Sequence, residues 1–274
     1  MKFRPTPLWL LLRRLARSIE ANGIGGAAAH SYQRLFRSLK NHGLSGTFDR
    51  AFRRAPAAPP RTFPQQTHPF DVLHGIDTGG YMSGAELATV SLSGLYSTAY
   101  LRISPSTFQA AVAELSIRYE DFTFVDLGCG KGLALFLAAQ FPFRRLIGVE
   151  IADGLCRIAR SNVEKNPDWV DRISIANEDA TSFIYPEGPL LIFLNDPFLA
   201  PVLRRVLRSL QRQLHRSPRP VYLLYASNRH FEVMDSFPLL KQVSDKQYPL
   251  SLQDTALDPF QRTAERFTLY ATDL

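Results

Sequence analysis

From residue 105 onward the chain alternates short apolar runs with amphipathic stretches, and this alternation limits its fold more than any other feature. The runs "FTFVDLG", "RLIGVE", "RISIANEDA", "LLIFLND" and "VYLLYAS" have strand length and are largely apolar. A strand solvated on one face would alternate polar with apolar residues, so these five predict parallel strands covered on both sides. The stretches between them read as helices. "PSTFQAAVAELSIRY" is opened by Pro105, and "KGLALFLAAQ" is apolar nearly all round. "DGLCRIARSNVEKN" has Asp153 placed to cap it and stops before Pro167. A fourth helix puts Val202, Leu203, Val206, Leu207, Leu210 and Leu214 on one face, with Arg204, Arg205, Arg208 and Arg212 off it. "KQVSDKQYPL" and "ERFTLYATDL" close the chain as an antiparallel pair. The expected fold is α/β: a Rossmann-like doubly wound, mostly parallel seven-stranded sheet with an antiparallel C-terminal strand, preceded by a helical N-terminal region.

Charge divides the 274 residues into two parts. The first 66 hold twelve Lys and Arg against Glu20 and Asp49, whereas the remainder holds 20 basic and 23 acidic residues. Leu8, Leu11, Leu12, Leu15 and Ile19 recur at helical spacing with Arg13, Arg14 and Arg17 off the stripe, and Tyr32, Leu35, Phe36 and Leu39 form a second such unit. The proline-rich "RRAPAAPPRTFPQQTHP" sustains neither helix nor central strand. These patterns predict a basic amphipathic helical region at 1–54, a linker at 55–70, a lid that covers the cofactor at 71–104 and the catalytic domain at 105–274. Apolar stripes with cationic flanks suit peripheral contact with an anionic membrane surface through residues 1–50. Packing on the body is the alternative, and nucleic acid ranks behind both because no aromatic-basic pattern accompanies the charge. The only cysteines, Cys129 and Cys156, form no C-x-x-C pair, which speaks for a reducing compartment and against a zinc site. "LWLLL" at 8–12 is too short to span a bilayer. The expected location is the cytoplasm, with the arm at the inner face of the membrane. An Arg-rich, acid-poor start also fits an organellar transit peptide.

In such sheets the ligand lies at the carboxyl ends of the strands. After strand one stand Gly128, Gly130 and Gly132, preceded by Asp126. A dinucleotide site has G-x-G-x-x-G to hold a pyrophosphate. Here the spacing is G-x-G-x-G, and a carboxylate two residues ahead of the first glycine would repel a pyrophosphate. It suits a ligand with a cation there, such as S-adenosylmethionine with its amino group and sulfonium. Gly128 and Gly130 would then allow the backbone to approach that ligand. Glu150, ending strand two, offers two acceptor oxygens to a vicinal diol.

"VDLGCGKG" with "GVE" at 148–150 resembles the first two motifs of the class I S-adenosylmethionine-dependent methyltransferases, over about residues 105–226. The resemblance implies that Asp126, Gly128, Gly130 and Asn195 bind the cofactor and that Glu150 takes both ribose hydroxyls. It also implies that Asp179 accepts from the adenine amine, with Glu178 as its rival for that role, and that the backbone of Ala180 meets the ring. "HGIDTGG", "YSTAYLRISPSTF" and "RPVYLLYA" narrow the likeness to a bacterial branch of methyltransferases with no defined substrate. That branch carries Asn-Pro-Phe after strand four, where this chain has Asp196-Pro197-Phe198. Asp-Pro-aromatic is similar to the amino-methyltransferase motif, and the difference argues against a nucleobase acceptor.

Asp196 is therefore the expected catalytic residue, orienting an amine and favouring the charge that develops on it. Phe198 supplies a flat wall for the acceptor. The alternative for Asp196 is a helix N-cap ahead of Pro197. Tyr100 is paired with Asp196 as catalytic, and Tyr96 with Phe198 as acceptor-contacting; packed aromatics are the alternative for both tyrosines. His74 and Asp77 fit a lid motif, not a metal site, and no metal is expected. The activity implied is methyl transfer to an amine or another nucleophile on an unidentified protein or small molecule. An NAD(P)-dependent oxidoreductase and a non-catalytic cofactor-binding membrane protein are the rivals.

Overall fold

The computed structural model describes residues 67–82, 93, 98–227 and 229–272. The helical units at 1–54, most of the linker and Tyr96 lie outside the described residues. The first described helix, α1 (Pro69–His74), begins on the last two residues assigned to the linker, with its proline in the first turn.

The strands are β1 (Thr123–Leu127), β2 (Arg145–Val149), β3 (Ile173–Ala176), β4 (Leu190–Leu194), β5 (Val221–Ala226), β6 (Lys241–Pro249) and β7 (Ala264–Ala271). They form one seven-stranded sheet in the order β3-β2-β1-β4-β5-β7-β6. β1 to β5 are parallel, β7 runs antiparallel to β5, and β6 antiparallel to β7. This is the expected sheet. β3 is shorter than its apolar run, because the chain after Ala176 turns towards the sheet edge and the Glu178 amide donates to the Glu150 carbonyl.

Every β1 side chain is buried. Phe124 packs under α2 (Pro105–Ala113) and α3 (Leu133–Ala138), while Val125 faces the opposite layer, built on α6 (Ala200–Arg216). Apolar side chains on both faces are why the strands lack alternation. α3 is buried at every position, and α6 buries the six apolar residues that its periodicity selects.

One expectation fails at α4 (Asp153–Glu164). Its cap position is Ala152, whose amide donates to the Glu150 carboxylate at 2.8 Å. Asp153 is therefore the first helical residue, and its carboxylate pairs with Arg157 one turn on, at 3.1 Å. α5 (Pro167–Val170) follows, and its Trp169 ring stacks on Phe136.

A buried polar cluster ties the N-terminal described segment to the C-terminal insertion. His68 accepts from the Phe70 amide through Nδ1 at 3.0 Å, which leaves Nε2 to donate to Asp254 at 2.9 Å. Asp254 lies in a helix, Leu252–Leu257, and also accepts from the Ser106 amide and hydroxyl. Burial pushes the Asp254 pKa up, but the bonds from His68 and Ser106 outweigh it and hold the carboxyl at about 2. A folded-state pKa below the unfolded one stabilises the fold above about pH 4, and that stability is lost as pH falls towards 2. Asp254→Asn should therefore cost about 1.5–3 kcal/mol at pH 7. The difference should shrink as pH falls from about 4 and vanish below about pH 2 in thermal melts; a gap undiminished there would remove the carboxylate as its source.

Candidate active site

A cleft of about 900 Å³, counting its open mouth, lies at the carboxyl ends of β1 to β4. The strand order reverses there, with β1 flanked by β2 on one side and β4 on the other. Asp126, Gly128, Glu150, Asp179, Ala180, Asn195 and Phe198 all line it, as does Glu178.

Glu150 is fixed by backbone. Its Oε2 accepts from the Gly130 amide at 3.0 Å and its Oε1 from Ala152. Burial raises its pKa, and the Ala152 and Gly130 amides offset part of that rise. Asp126 is 3% exposed, and its carboxylate has no hydrogen-bond partner among the described residues. Burial pushes its pKa well above the ordinary carboxylate range, and the neighbouring Glu150 charge adds to the shift. For Asp179, burial raises the pKa, but hydrogen bonds from Ser93 and Thr181 and the charge of Arg205 bring it below the usual range. Asn195 donates to the Leu101 carbonyl at 3.0 Å, so its amide oxygen is the part left for a ligand.

The glycines have a reason in the protein itself, beside the close approach to a ligand that was expected. All three have positive φ, and the tight contacts at two of them are with protein. A Cβ on Gly128 would come within 2.5 Å of Pro197, and a Cβ on Gly130 within 2.3 Å of the Tyr100 ring. Both positions need glycine because the Asp-Pro turn and a tyrosine pack directly on this loop.

Tyr100 lines the cleft with its ring, but its hydroxyl donates to the Thr78 carbonyl at 2.7 Å. Burial pushes its pKa up, so the phenol remains a donor. Asp77 pairs with Lys131 at 2.7 Å, and Lys131 also donates to the Gly79 carbonyl. Asn162 of α4 bonds both the amide and the carbonyl of Asp77. "HGIDTGG" is thereby strapped onto the glycine loop and α4. Its His74 ring packs between Phe70 and Trp169. Among the described residues no cluster of His, Cys, Asp and Glu could hold a metal.

Asp196 is not a helix cap: α6 starts at Ala200 with Leu199 at the cap position. Pro197 instead closes a turn in which Asp196 has φ 46°, a left-handed conformation that aspartate tolerates better than most residues. The Asp196 carbonyl accepts from Thr98 Oγ1 at 2.8 Å. Its carboxylate leaves the cleft wall to pair with Arg229, Nε at 2.8 Å, with the Tyr225 hydroxyl at 3.4 Å.

Two cations escaped the sequence analysis. Arg229, in the loop after β5, carries no motif that marks it. Arg102 lines the cleft, its Nη1 3.7 Å from Asp71, and its Nη2 is buried without a hydrogen-bond partner among the described residues. Its place in "YLRIS", three residues ahead of Pro105, was the one signal available.

Residues 124–217 match the family described as methyltransferase domain. That match covers about a third of the chain and lies within the sheet and its helices. Ribosomal protein L11 methyltransferase of Bacteroides thetaiotaomicron is 27% identical over 127 residues, 46% of this chain and 41% of that relative. The matched part thus spans less than half of that relative's length. Among solved structures, the 23S rRNA methyltransferase ErmE is similar at 16% identity and TM-score 0.42, covering 64% of this chain and 70% of that one. Magnesium protoporphyrin IX methyltransferase from Synechocystis PCC 6803, with bound SAM, is similar at 12% identity and TM-score 0.44, covering 62% and 79%. No described helix is long and apolar enough to cross a membrane.

Proposed function

We propose that the domain binds S-adenosylmethionine in this cleft and transfers its methyl group to an amine presented at Asp196-Pro197-Phe198. The observation that carries the reading is the Asp126 carboxyl, buried on the wall of the cleft with no hydrogen bond to its side chain among the described residues. A charged group without a partner is costly to bury, and a ligand ammonium there supplies the missing donors. A pyrophosphate would instead meet both Asp126 and Glu150, which disfavours a dinucleotide.

The remaining roles follow from atoms still free to bond. Each Glu150 oxygen accepts one amide and keeps a lone pair for a ribose hydroxyl. Asp179, with Glu178 beside it, faces the adenine amine, and Ala180 borders the ring. Arg102, whose Nη1 lies 3.7 Å from Asp71 while its Nη2 has no hydrogen-bond partner among the described residues, takes the carboxylate of the ligand's amino-acid end.

S-adenosylmethionine supplies a methyl on a sulfonium, which the acceptor lone pair displaces in line while the C–S electron pair stays on sulfur. Phe198 walls the acceptor side of the cleft. The Asp196 carboxylate, drawn from Arg229 towards a bound amine, favours the positive charge that forms on nitrogen. Tyr100 holds the glycine loop in shape and does not transfer a proton, because its hydroxyl is committed to Thr78.

Calorimetric titration of S-adenosylhomocysteine and 5′-methylthioadenosine, which lacks the amino-acid end, tests this assignment. Arg102→Gln should lose about 10- to 100-fold affinity for the first, since about 1.4 kcal/mol corresponds to tenfold. Its affinity for the second should stay within about twofold. Equal losses for both ligands would make Arg102 structural. If neither ligand binds the wild type, the cofactor reading fails.

A further inference from the structure

We infer that the exposed face of α6 docks the phosphate backbone of a nucleic-acid duplex. The inference rests on the fold and its charges and is independent of the cofactor reading.

The 17-residue helix carries Arg204, Arg205, Arg208, Arg212, Arg216 and His215 and no acidic residue. The rest of the body leans the other way, since residues 67–274 outside this helix hold 23 acids against 15 Lys and Arg. All five arginines are exposed, and among the described residues none forms an ion pair or side-chain hydrogen bond. Arg204, Arg208, Arg212 and Arg216 recur every fourth residue, about 6 Å apart along the axis, so the row is about 18 Å long. Like charges at that spacing destabilise a helix by about 0.2–0.5 kcal/mol per pair. The C-terminal helix dipole accounts for Arg216 and His215 but not for Arg204 and Arg205, which stand nearer the other end. The row thus costs the fold stability and returns none within the described structure, and a regular polyanion offsets that cost.

The class of polyanion follows from the neighbours of the row. A helix lies in a membrane interface through a free apolar face. Here that face is buried in the core through Val206, Leu210 and their neighbours. Single-stranded nucleic acid is held by stacking bases on aromatic side chains, and α6 has none. A duplex presents about one phosphate per 3.4 Å on each strand, so the row spans about five on one strand. The location gives the surface a use. Phe198 lines the cleft and α6 begins two residues later, so the row starts at the cleft mouth. Arg205 already acts on Asp179 across that rim. A duplex docked there would be held beside the acceptor turn. The low rank of nucleic acid in the sequence rested on the N-terminal segment, whereas this row belongs to the body.

Fluorescence anisotropy of the full chain with labelled 20-base-pair RNA and DNA duplexes, from 50 to 200 mM salt and without cofactor, tests the inference. R204Q/R208Q/R212Q should bind at least tenfold more weakly at 100 mM salt. Its slope of log affinity against log salt should be shallower by about 2–3, or about 0.9 for each phosphate no longer neutralised. R204K/R208K/R212K should retain binding, and R13Q/R14Q/R17Q controls for net charge. The RNA and DNA arms show which duplex is preferred. The inference is overturned if the glutamine variant keeps wild-type affinity and slope, or loses no more than the N-terminal control. It is equally overturned if single strands bind more tightly than duplexes, or if the variant loses only phosphatidylserine-vesicle binding.

Discussion

Glu150→Ala should lose about 100- to 1000-fold of its affinity for S-adenosylhomocysteine, more than any other single change in the cleft. Two effects combine. The bonds to a ribose diol go, worth about 2–4 kcal/mol for two charge-assisted contacts. The Gly130 and Ala152 amides, both held by this carboxylate, also lose their acceptor and release the glycine loop and the start of α4. Glu150→Gln should fall between, because one amide oxygen can satisfy one N–H while its NH2 group opposes the other. Calorimetry measures the loss. Wild-type affinity in the alanine variant would take Glu150 out of the site. A variant that melts much lower yet binds normally when cold would leave it a structural role alone.

Asp196→Ala should separate binding from turnover. Its side chain is turned from the cleft wall towards Arg229, so S-adenosylhomocysteine affinity should change by less than about threefold. Transfer of labelled methyl groups into cell extract, including ribosomal fractions, should fall by about 100-fold or more, on the order of 3 kcal/mol. Alanine is strained at positive φ by about 1–2 kcal/mol, so Asp196→Asn is the better-folded comparison. It tolerates that conformation, keeps one acceptor oxygen and should retain more activity than the alanine variant. Full labelling by the alanine variant would leave Asp196 as no more than the anchor of Arg229. Labelling lost from Asp196→Ala and Arg229→Ala alike would point to the ion pair, not the carboxylate, as the functional unit.

The sheet was legible because strands buried on both faces cannot conceal their composition. β4 shows no polar break in its apolar run, β1 is buried throughout although it carries Thr123 and Asp126, and the face of α6 was readable residue by residue. The wall of the cleft was legible too, since Asp126, Glu150 and Asp179 sit where short motifs end parallel strands. Contacts that depend on distant chain were not legible. Gly128 is small because of Pro197, and Gly130 because of Tyr100; no local pattern encodes either contact. Asp153 and Asp196 both looked like caps, because Asp before a helix usually is one. Glu150 had already taken the amide ahead of α4, and Pro197 diverted the chain three residues before α6 began. Arg102 and Arg229 lie in loops whose course is set by packing alone.

The contact between Gly128 and Pro197 joins two loops of the cleft mechanically. In the proposed function one residue belongs to the turn that would hold the cofactor and the other to the turn that would meet the acceptor, and there is no room for a single methyl group between them. Neither turn can shift without displacing the other. On the proposed function, any rearrangement that S-adenosylmethionine and S-adenosylhomocysteine induced differently at the first turn would appear as different acceptor affinities at the second. Linkage would make that dependence reciprocal: an acceptor would change the grip on the cofactor by the same factor.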